Sequence, residues 1–79
     1  MNRETIYEKL TEVFMDVFDD EDIVISDTTT AADIDGWDSL THISLIASVE
    51  DEFDIKFDMK AIQGLKNVGE MVNIIEELI

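Results

Sequence analysis

Apolar side chains recur every three or four residues in the first segment of the chain, from Asn2 to Phe18. This spacing places them on one face of a helix and leaves the other faces to polar residues. The apolar positions are Ile6, Leu10, Val13, Phe14 and Val17, and the polar ones include Glu8, Lys9, Glu12 and Asp16. The segment is therefore predicted to form an amphipathic helix.

Two later segments show the same period. The second predicted helix starts at Ser39, and its core-facing positions are Leu40, Ile43, Ile46, Val49 or Glu50, and Phe53. The last predicted helix starts after Asn67, which forms a capping pattern with Glu70. Its apolar positions are Val68, Met71, Val72, Ile75, Leu78 and Ile79.

These faces predict a common core. The second helix should contribute Leu40, Ile46 and Phe53 to it. The expected partners of these side chains are Phe14 on the first helix and Val72 or Ile75 on the last helix.

The segments between these helices have no sustained period. Residues 19–38, DDEDIVISDTTTAADIDGWD, form a long loop that Ile23, Ile25 and Ile34 are expected to dock onto the core. Loops of this length are uncommon in compact domains unless they are functional. After FDIKF, Met59 and Ile62 predict a short helix that ends near Gly64 in the left-handed conformation. The prediction is one all-α domain over residues 1–79, a four-helix bundle with a long loop between helices one and two and a short third helix.

The charge balance narrows the range of partners. Five Lys and Arg residues against 20 Asp and Glu residues give a net charge of −15. Such a field repels nucleic-acid phosphates and anionic lipid head groups, so basic protein surfaces are the expected partners. The absence of cysteine excludes disulfides and thiolate metal sites. No apolar run has the length of a signal peptide core or a membrane span, and we expect a cytoplasmic protein.

The stretch DGWDSLTHISLI, residues 35–46, places a serine where the loop meets the second helix. Either Asp38 or Ser39 could accept hydrogen bonds from the first free N–H groups of that helix. The same position is suited to a covalently attached phosphate, because helix N-termini favour negative charge. Capping and phosphate attachment are compatible roles for this junction.

Two other kinds of site are disfavoured. Ser39 and His42 could approach each other on one helix face, but a hydrolase also needs an orienting group and an oxyanion hole that so short a chain does not readily supply. A calcium loop centred on Gly36 would place Ala31 and His42 at ligand positions, so it fails. We therefore expect no enzyme and no metal, with His42 on the surface and Trp37 packed onto the domain.

The junction, the acidic helix end VEDEF and the order of the four helices together resemble an acyl carrier protein over essentially the whole chain. The resemblance implies that Ser39, flanked by Asp38 and Leu40 in the DSL motif, is esterified by 4'-phosphopantetheine. A phosphopantetheinyl transferase would supply this group from coenzyme A. The thiol of the arm would then hold acyl groups as thioesters for fatty-acid, polyketide or related biosynthesis.

The resemblance also implies partners for a monomeric carrier. These are an acyl-loading ligase or transferase and a ketosynthase or other acyl-processing enzymes with basic patches. The residues expected to contact such partners are Trp37, Thr41, Ser44, Ala47, Glu50 and Asp51.

Two features distinguish this chain from carriers of housekeeping fatty-acid synthesis. Thr41 and Ser44 stand where those carriers have acids, and the short third helix carries Lys60 and Gln63. Through its GWDSL motif the chain resembles discrete carriers that serve specialised pathways, such as polyketide, modified-lipid or peptide-like product assembly, and this resemblance implies such a carrier. Two alternatives remain open at this point: an aminoacyl or peptidyl carrier loaded by an adenylating ligase, and an acidic helical adaptor without a prosthetic group.

Overall fold

The computed structural model describes all residues from Met1 to Ile79 and contains four α-helices. They are α1 (Arg3–Phe18), α2 (Ser39–Phe53), α3 (Met59–Gln63) and α4 (Val68–Leu78). One 3-10 turn, Ala31–Asp33, interrupts the loop between α1 and α2. The predicted all-α fold, with a long first loop and a short third helix, is confirmed. No helix is both long enough and apolar enough to cross a membrane.

Seventeen buried hydrophobic residues form a single core. Helix α1 lies in the centre of it, since α1 packs against both α2 and α4. The buried side chains are Ile6, Leu10, Val13, Phe14, Ile23, Ile25, Ile34, Leu45, Ile46, Val49, Phe53, Ile55, Phe57, Val68, Met71, Val72 and Ile75. The predicted core face of α1 is confirmed apart from Val17, which is only partly buried.

The predicted core face of α2 is partly wrong. Ile46 and Phe53 are buried as expected, but Leu40 is 79% exposed and Ile43 is 69% exposed. The missed core residue is Leu45, which is fully buried. At about 3.6 residues per turn, the buried stripe that starts at Leu45 leaves Leu40 on nearly the opposite face. The two exposed apolar residues therefore belong to the outer surface of the helix.

The helix ends also correct one expectation. The sequence predicts a left-handed Gly64, but its φ of −89° and ψ of 0° are right-handed. The left-handed residues are Asp19 (φ 50°) after α1 and Asp54 (φ 54°) after α2. Aspartate tolerates this conformation because its short polar side chain can hydrogen-bond locally. Aspartate therefore ends α1 and α2 at positions where helices most often have a left-handed glycine.

The start of α4 confirms the predicted cap. The Asn67 side chain accepts a hydrogen bond from the Glu70 backbone N–H at 2.8 Å. The Glu70 carboxylate accepts one from the Lys66 backbone N–H at 3.0 Å. At the other end, Leu78 and Ile79 are exposed rather than buried as predicted, because α4 ends beyond its last core-facing turn at Ile75.

The long loop is fixed to the start of α4 by backbone hydrogen bonds. The Val68 N–H donates to the Thr29 carbonyl at 2.8 Å, and the Gly69 N–H donates to the Asp27 carbonyl at 3.1 Å. Ile23, Ile25 and Ile34 are buried, as predicted. The loop is thus a docked part of the domain, and it delivers the chain to α2 in a defined position.

A polar cluster around the single arginine joins α1, the loop and α4. Arg3 donates to Asp27 at 2.8 Å and to the Asn73 side chain at 3.0 Å, and it also pairs with Glu76. The Tyr7 hydroxyl donates to the same Asp27 carboxylate. Burial, together with the bond to Asp27, raises the pKa of Tyr7 to about 12. The bonds from Tyr7 and Arg3 lower the pKa of Asp27.

The segment after α2 packs by alternation. Ile55 and Phe57 are buried, whereas Asp54 and Lys56 are exposed. The Glu50 carboxylate accepts a hydrogen bond from the Phe57 backbone N–H at 2.8 Å. This acid therefore holds the segment that leads to α3.

Candidate functional site

Ser39 is the first residue of α2, and Asp38 is the residue that caps this helix. The Asp38 carboxylate accepts hydrogen bonds from the backbone N–H groups of Leu40 at 2.9 Å and Thr41 at 3.0 Å. These two bonds, the one from Thr41 being the larger influence, lower the pKa of Asp38. Of the two expected capping residues, the structure selects Asp38. Ser39 is exposed and takes no part in the cap.

Thr41 completes a capping box at the same place. Its hydroxyl accepts from the Asp38 backbone N–H at 2.8 Å and donates to the Gly36 carbonyl at 2.7 Å. Gly36 has a φ of 87°, which favours glycine over residues with a side chain. The turn and the helix start are therefore fixed to each other on either side of Trp37.

Trp37 anchors the junction to the core, as the sequence predicts. Its ring meets that of Phe14 edge-on, with the centroids 5.4 Å apart, and lies 6.2 Å from that of Phe18. Edge-to-face aromatic pairs of this kind are stabilising beyond the area that they bury. Because Trp37 is two residues before Ser39, this packing also fixes where Ser39 emerges.

His42 hydrogen-bonds to Trp37 rather than to Ser39. The indole N–H of Trp37 donates to His42 Nδ1 at 3.0 Å, and the two ring planes are inclined by 18° with their centroids 6.0 Å apart. The ring nitrogen that faces the indole is therefore occupied. The arrangement gives Ser39 no general base, so it does not build a hydrolytic pair.

An open groove of about 400 Å³ lies beside Ser39. One wall comes from the loop and the start of α2, and the other comes from α3 and the segment that follows it. The groove is lined by Ala31, Trp37, Asp38, Ser39, His42, Ile62, Gln63, Leu65, Lys66 and Asn67. The structure thus brings together Trp37, Asp38 and Ser39 of the predicted site residues.

The remaining predicted site residues lie along α2. Ser44, Ala47 and Asp51 are exposed, as is Leu40. Their spacing of three and four residues places them on one outer face of the helix. The carboxylate of Glu50 is engaged by Phe57 and the hydroxyl of Thr41 by the cap, so both side chains already have structural roles.

Sequence reasoning did not find the far wall of the groove. Leu65 and Lys66 are more than 20 positions from Ser39 and carry no local motif. The sequence gives only an indirect indication of the bond between Trp37 and His42, because a partly buried tryptophan usually finds a partner for its N–H. No group of three or more His, Cys, Asp or Glu side chains is placed to hold a metal ion.

Comparison with known proteins agrees with this geometry. The family model described as "Phosphopantetheine attachment site" matches residues 8–75. Acyl carrier proteins from a Picosynechococcus species and from Petrotoga mobilis are 37% and 31% identical over 78 residues, which is 98% of this chain and 94% and 91% of those relatives. The solution structure of the holo acyl carrier protein from Geobacter metallireducens is 45% identical, with a TM-score of 0.84 over 90% of this chain and 82% of that chain.

Both the fold and the sequence define a phosphopantetheine-binding carrier domain. The chain therefore belongs to the acyl carrier protein family. It is a non-catalytic carrier whose prosthetic group is phosphopantetheine, and the family implies phosphopantetheinyl transferases and acyl-processing enzymes as partners.

Proposed function

We propose that Ser39 is the residue to which 4'-phosphopantetheine is attached. The observation that carries this proposal is that Asp38, and not Ser39, caps the start of α2. Asp38 caps the helix, so the exposed Ser39 is free for modification. Ser39 also opens onto a groove, which leaves room for a substituent. The residues at this junction fit the group.

The protein's own residues hold and present the group. Trp37 and the capping box of Asp38 and Thr41 fix the position of Ser39. When bound, phosphopantetheine supplies the thiol that this cysteine-free chain lacks. A fixed attachment point at the domain surface allows a flexible arm to enter a partner's active site.

The outer face of α2 is the proposed docking surface for partner enzymes. It combines exposed apolar side chains at Leu40 and Ile43 with the exposed acid Asp51. With a net charge of −15, complementary basic surfaces would accelerate encounter and favour the correct partner. The partners proposed are the phosphopantetheinyl transferase, an acyl-loading ligase or transferase, and a ketosynthase.

Asp51 is proposed as the main acidic contact on this face. The Glu50 carboxylate already accepts a hydrogen bond from the Phe57 backbone N–H. The Thr41 hydroxyl is already bonded within the cap of α2. The exposed Ser44 and Ala47 lie between Leu40 and Asp51 and contribute shape rather than charge. The docking surface therefore differs along its length, apolar near Ser39 and acidic near Asp51.

The pathway served by the carrier is a separate hypothesis. Thr41, Ser44 and Lys60 motivate a specialised pathway, but the relatives are named simply as acyl carrier proteins and lend that idea no support. We propose that the carrier acts as a monomer in the cytoplasm. Identification of the acyl group on the carrier purified from its own cells would decide the pathway.

Loading by a transferase tests the attachment site. The protein is incubated with coenzyme A, magnesium and a broad-specificity phosphopantetheinyl transferase, and its intact mass is measured. The unmutated chain and a Ser48→Ala control on the same helix should gain one phosphopantetheinyl group, whereas Ser39→Ala should gain none while keeping its helical circular dichroism. Modification of Ser39→Ala would refute the assignment of Ser39.

A further inference from the structure

The contact between Trp37 and His42 determines where the histidine carries its proton. An indole N–H can only donate a hydrogen bond, so the histidine nitrogen that faces it must be an acceptor. In the 3.0 Å bond from Trp37, the facing nitrogen of His42 is therefore the acceptor. This conclusion does not depend on which ring nitrogen faces the indole. The other ring nitrogen must carry the single N–H.

The remaining N–H of His42 has a site to act on. His42 and Ser39 are three residues apart on α2, which places them on the same side of the helix. Both residues line the groove that opens beside Ser39. Because Trp37 occupies one edge of the imidazole, the free N–H is the polar group that His42 can offer to a ligand in this groove.

A phosphodiester on Ser39 would meet few other free donors of the protein. The N–H groups of Leu40 and Thr41, which a phosphate at a helix start normally uses, already bond to the Asp38 carboxylate. The new negative charge would also lie next to that carboxylate. Lys66 is the only cationic side chain that lines the groove, and it lies on the opposite wall.

We propose that His42 is a positioning residue that donates its free ring N–H to a phosphodiester oxygen of the group on Ser39. The bond directs the arm along the groove between Trp37 and Leu65 rather than straight into solvent. The inference rests on the proposed function of Ser39. It assigns a task to a histidine that the attachment reaction does not use.

The test uses NMR on ¹⁵N-labelled protein before and after loading from coenzyme A. Intact mass first shows that loading is complete. The ³¹P resonance of the phosphodiester, the long-range ¹H–¹⁵N spectrum of His42 and the arm-to-indole nuclear Overhauser effects are then recorded at about pH 8, where free imidazole side chains are neutral.

Four variants separate a hydrogen bond from a structural effect. His42→Phe keeps a flat ring but has no N–H, and Trp37→Phe keeps an aromatic anchor but frees the second nitrogen of His42. His42→Gln restores both a donor and an acceptor. Ser48→Ala, on the same helix and outside the groove, is the control.

The inference predicts one pattern of results. Loading should shift the protonated nitrogen of His42 while the Trp37 indole N–H keeps its hydrogen bond. The ³¹P resonance should move in His42→Phe, return towards the native position in His42→Gln, and stay unchanged in Ser48→Ala. The arm-to-indole nuclear Overhauser effects should be lost in His42→Phe. In Trp37→Phe, the ring proton of His42 should be found on either nitrogen, because no indole N–H then requires one of them to be the acceptor.

Other results would overturn the inference. A loaded protein whose ³¹P resonance is the same in the native chain and in His42→Phe has no such bond. A loaded protein in which the indole N–H has no hydrogen bond and the proton of His42 lies on the nitrogen that faces Trp37 contradicts the proposed donor. Failure of the native chain to gain mass is a different outcome, because it refutes the attachment proposal itself and the inference with it.

Discussion

The Gly69 backbone N–H donates to the Asp27 carbonyl at 3.1 Å, and no side chain fits between these two residues. A Cβ atom built on Gly69 would lie 2.7 Å from the Asp27 carbonyl oxygen. This close approach attaches the long loop to the start of α4. Because the loop also leads to Ser39, the position of the site depends in part on a glycine in another helix.

Gly69→Ala should therefore destabilise the protein. Alanine favours helices over glycine by roughly 0.5–1 kcal/mol, but the clash with backbone atoms should cost about 1–3 kcal/mol and outweigh this gain. Gly64→Ala is the matched control. A Cβ atom on Gly64 would have its nearest contact at 3.5 Å, and the φ of Gly64 is not left-handed. Urea denaturation of both variants measures the difference. Equal midpoints would mean that the loop yields freely.

The Tyr7 hydroxyl should make stability depend on alkaline pH. Its pKa is raised from 10.0 to about 12, chiefly by burial and then by the bond to Asp27. The unfolded chain loses this proton near pH 10.0 while the folded chain retains it, so ionisation favours unfolding. The contribution of Tyr7 is present in full below pH 10.0 and is lost as the pH rises to about 12.

Tyr7→Phe tests this pH dependence. The variant should lose less stability than the native chain between pH 10.0 and about 12, as followed by urea denaturation at a series of pH values. Parallel curves for the two proteins would show that the hydroxyl does not titrate differently in the folded and unfolded states.

The two ends of α2 should respond differently to truncation. Phe53 is buried, so Phe53→Ala should cost on the order of 3–5 kcal/mol, a large part of the stability of a small domain. Leu40 is 79% exposed, and Leu40→Ala should change stability by less than about 0.5 kcal/mol. Chemical denaturation compares the two variants. A large loss in Leu40→Ala would mean that its side chain packs against the domain.

This pair also shows what sequence reasoning can and cannot determine. The helical period located α2, but a period alone allows the apolar stripe to be rotated when the outer face also carries apolar residues. For this reason the sequence pattern predicts Leu40 and Ile43 in the core, whereas the structure buries Leu45 and exposes both of them. Only packing against α1 selects the buried stripe.

The site shows a similar limit. The capping signal at Asp38 and Ser39 and the anchoring of Trp37 follow from local chemistry, and both were predicted. The wall of the groove at Leu65 and Lys66 depends on how the segment after α3 folds back. Such an approach between distant parts of the chain has no local sequence signal. The sequence likewise gives no indication that Thr41 and Glu50 hydrogen-bond within the domain.

Charge reversal on α2 tests the docking surface. Asp51→Lys should slow loading by the transferase at low salt, and the deficit should shrink as salt screens charges separated by more than about 8–10 Å. Glu50→Gln removes a charge while keeping an acceptor for Phe57, so it should have a smaller effect on rate and little on folding. Loading rates are measured against ionic strength after circular dichroism has confirmed folding.

Two controls make the docking test specific. Glu8→Lys changes an exposed acid on α1 by the same amount of charge, and it should leave the loading rate close to native. Lys60→Glu should have no inhibitory effect. If Asp51→Lys and Glu8→Lys slow loading equally, only the net charge matters and α2 is not the recognition surface.

The central claim is that Ser39 bears the prosthetic group, and peptide mapping tests it most directly. The loaded protein is digested, and tandem mass spectrometry locates the phosphopantetheinyl group within the peptide that contains Ser39, Ser44 and Ser48. We predict that the fragment ions place the whole addition on Ser39. An addition on either of the other two serines, or on any residue outside DSL, would contradict the account.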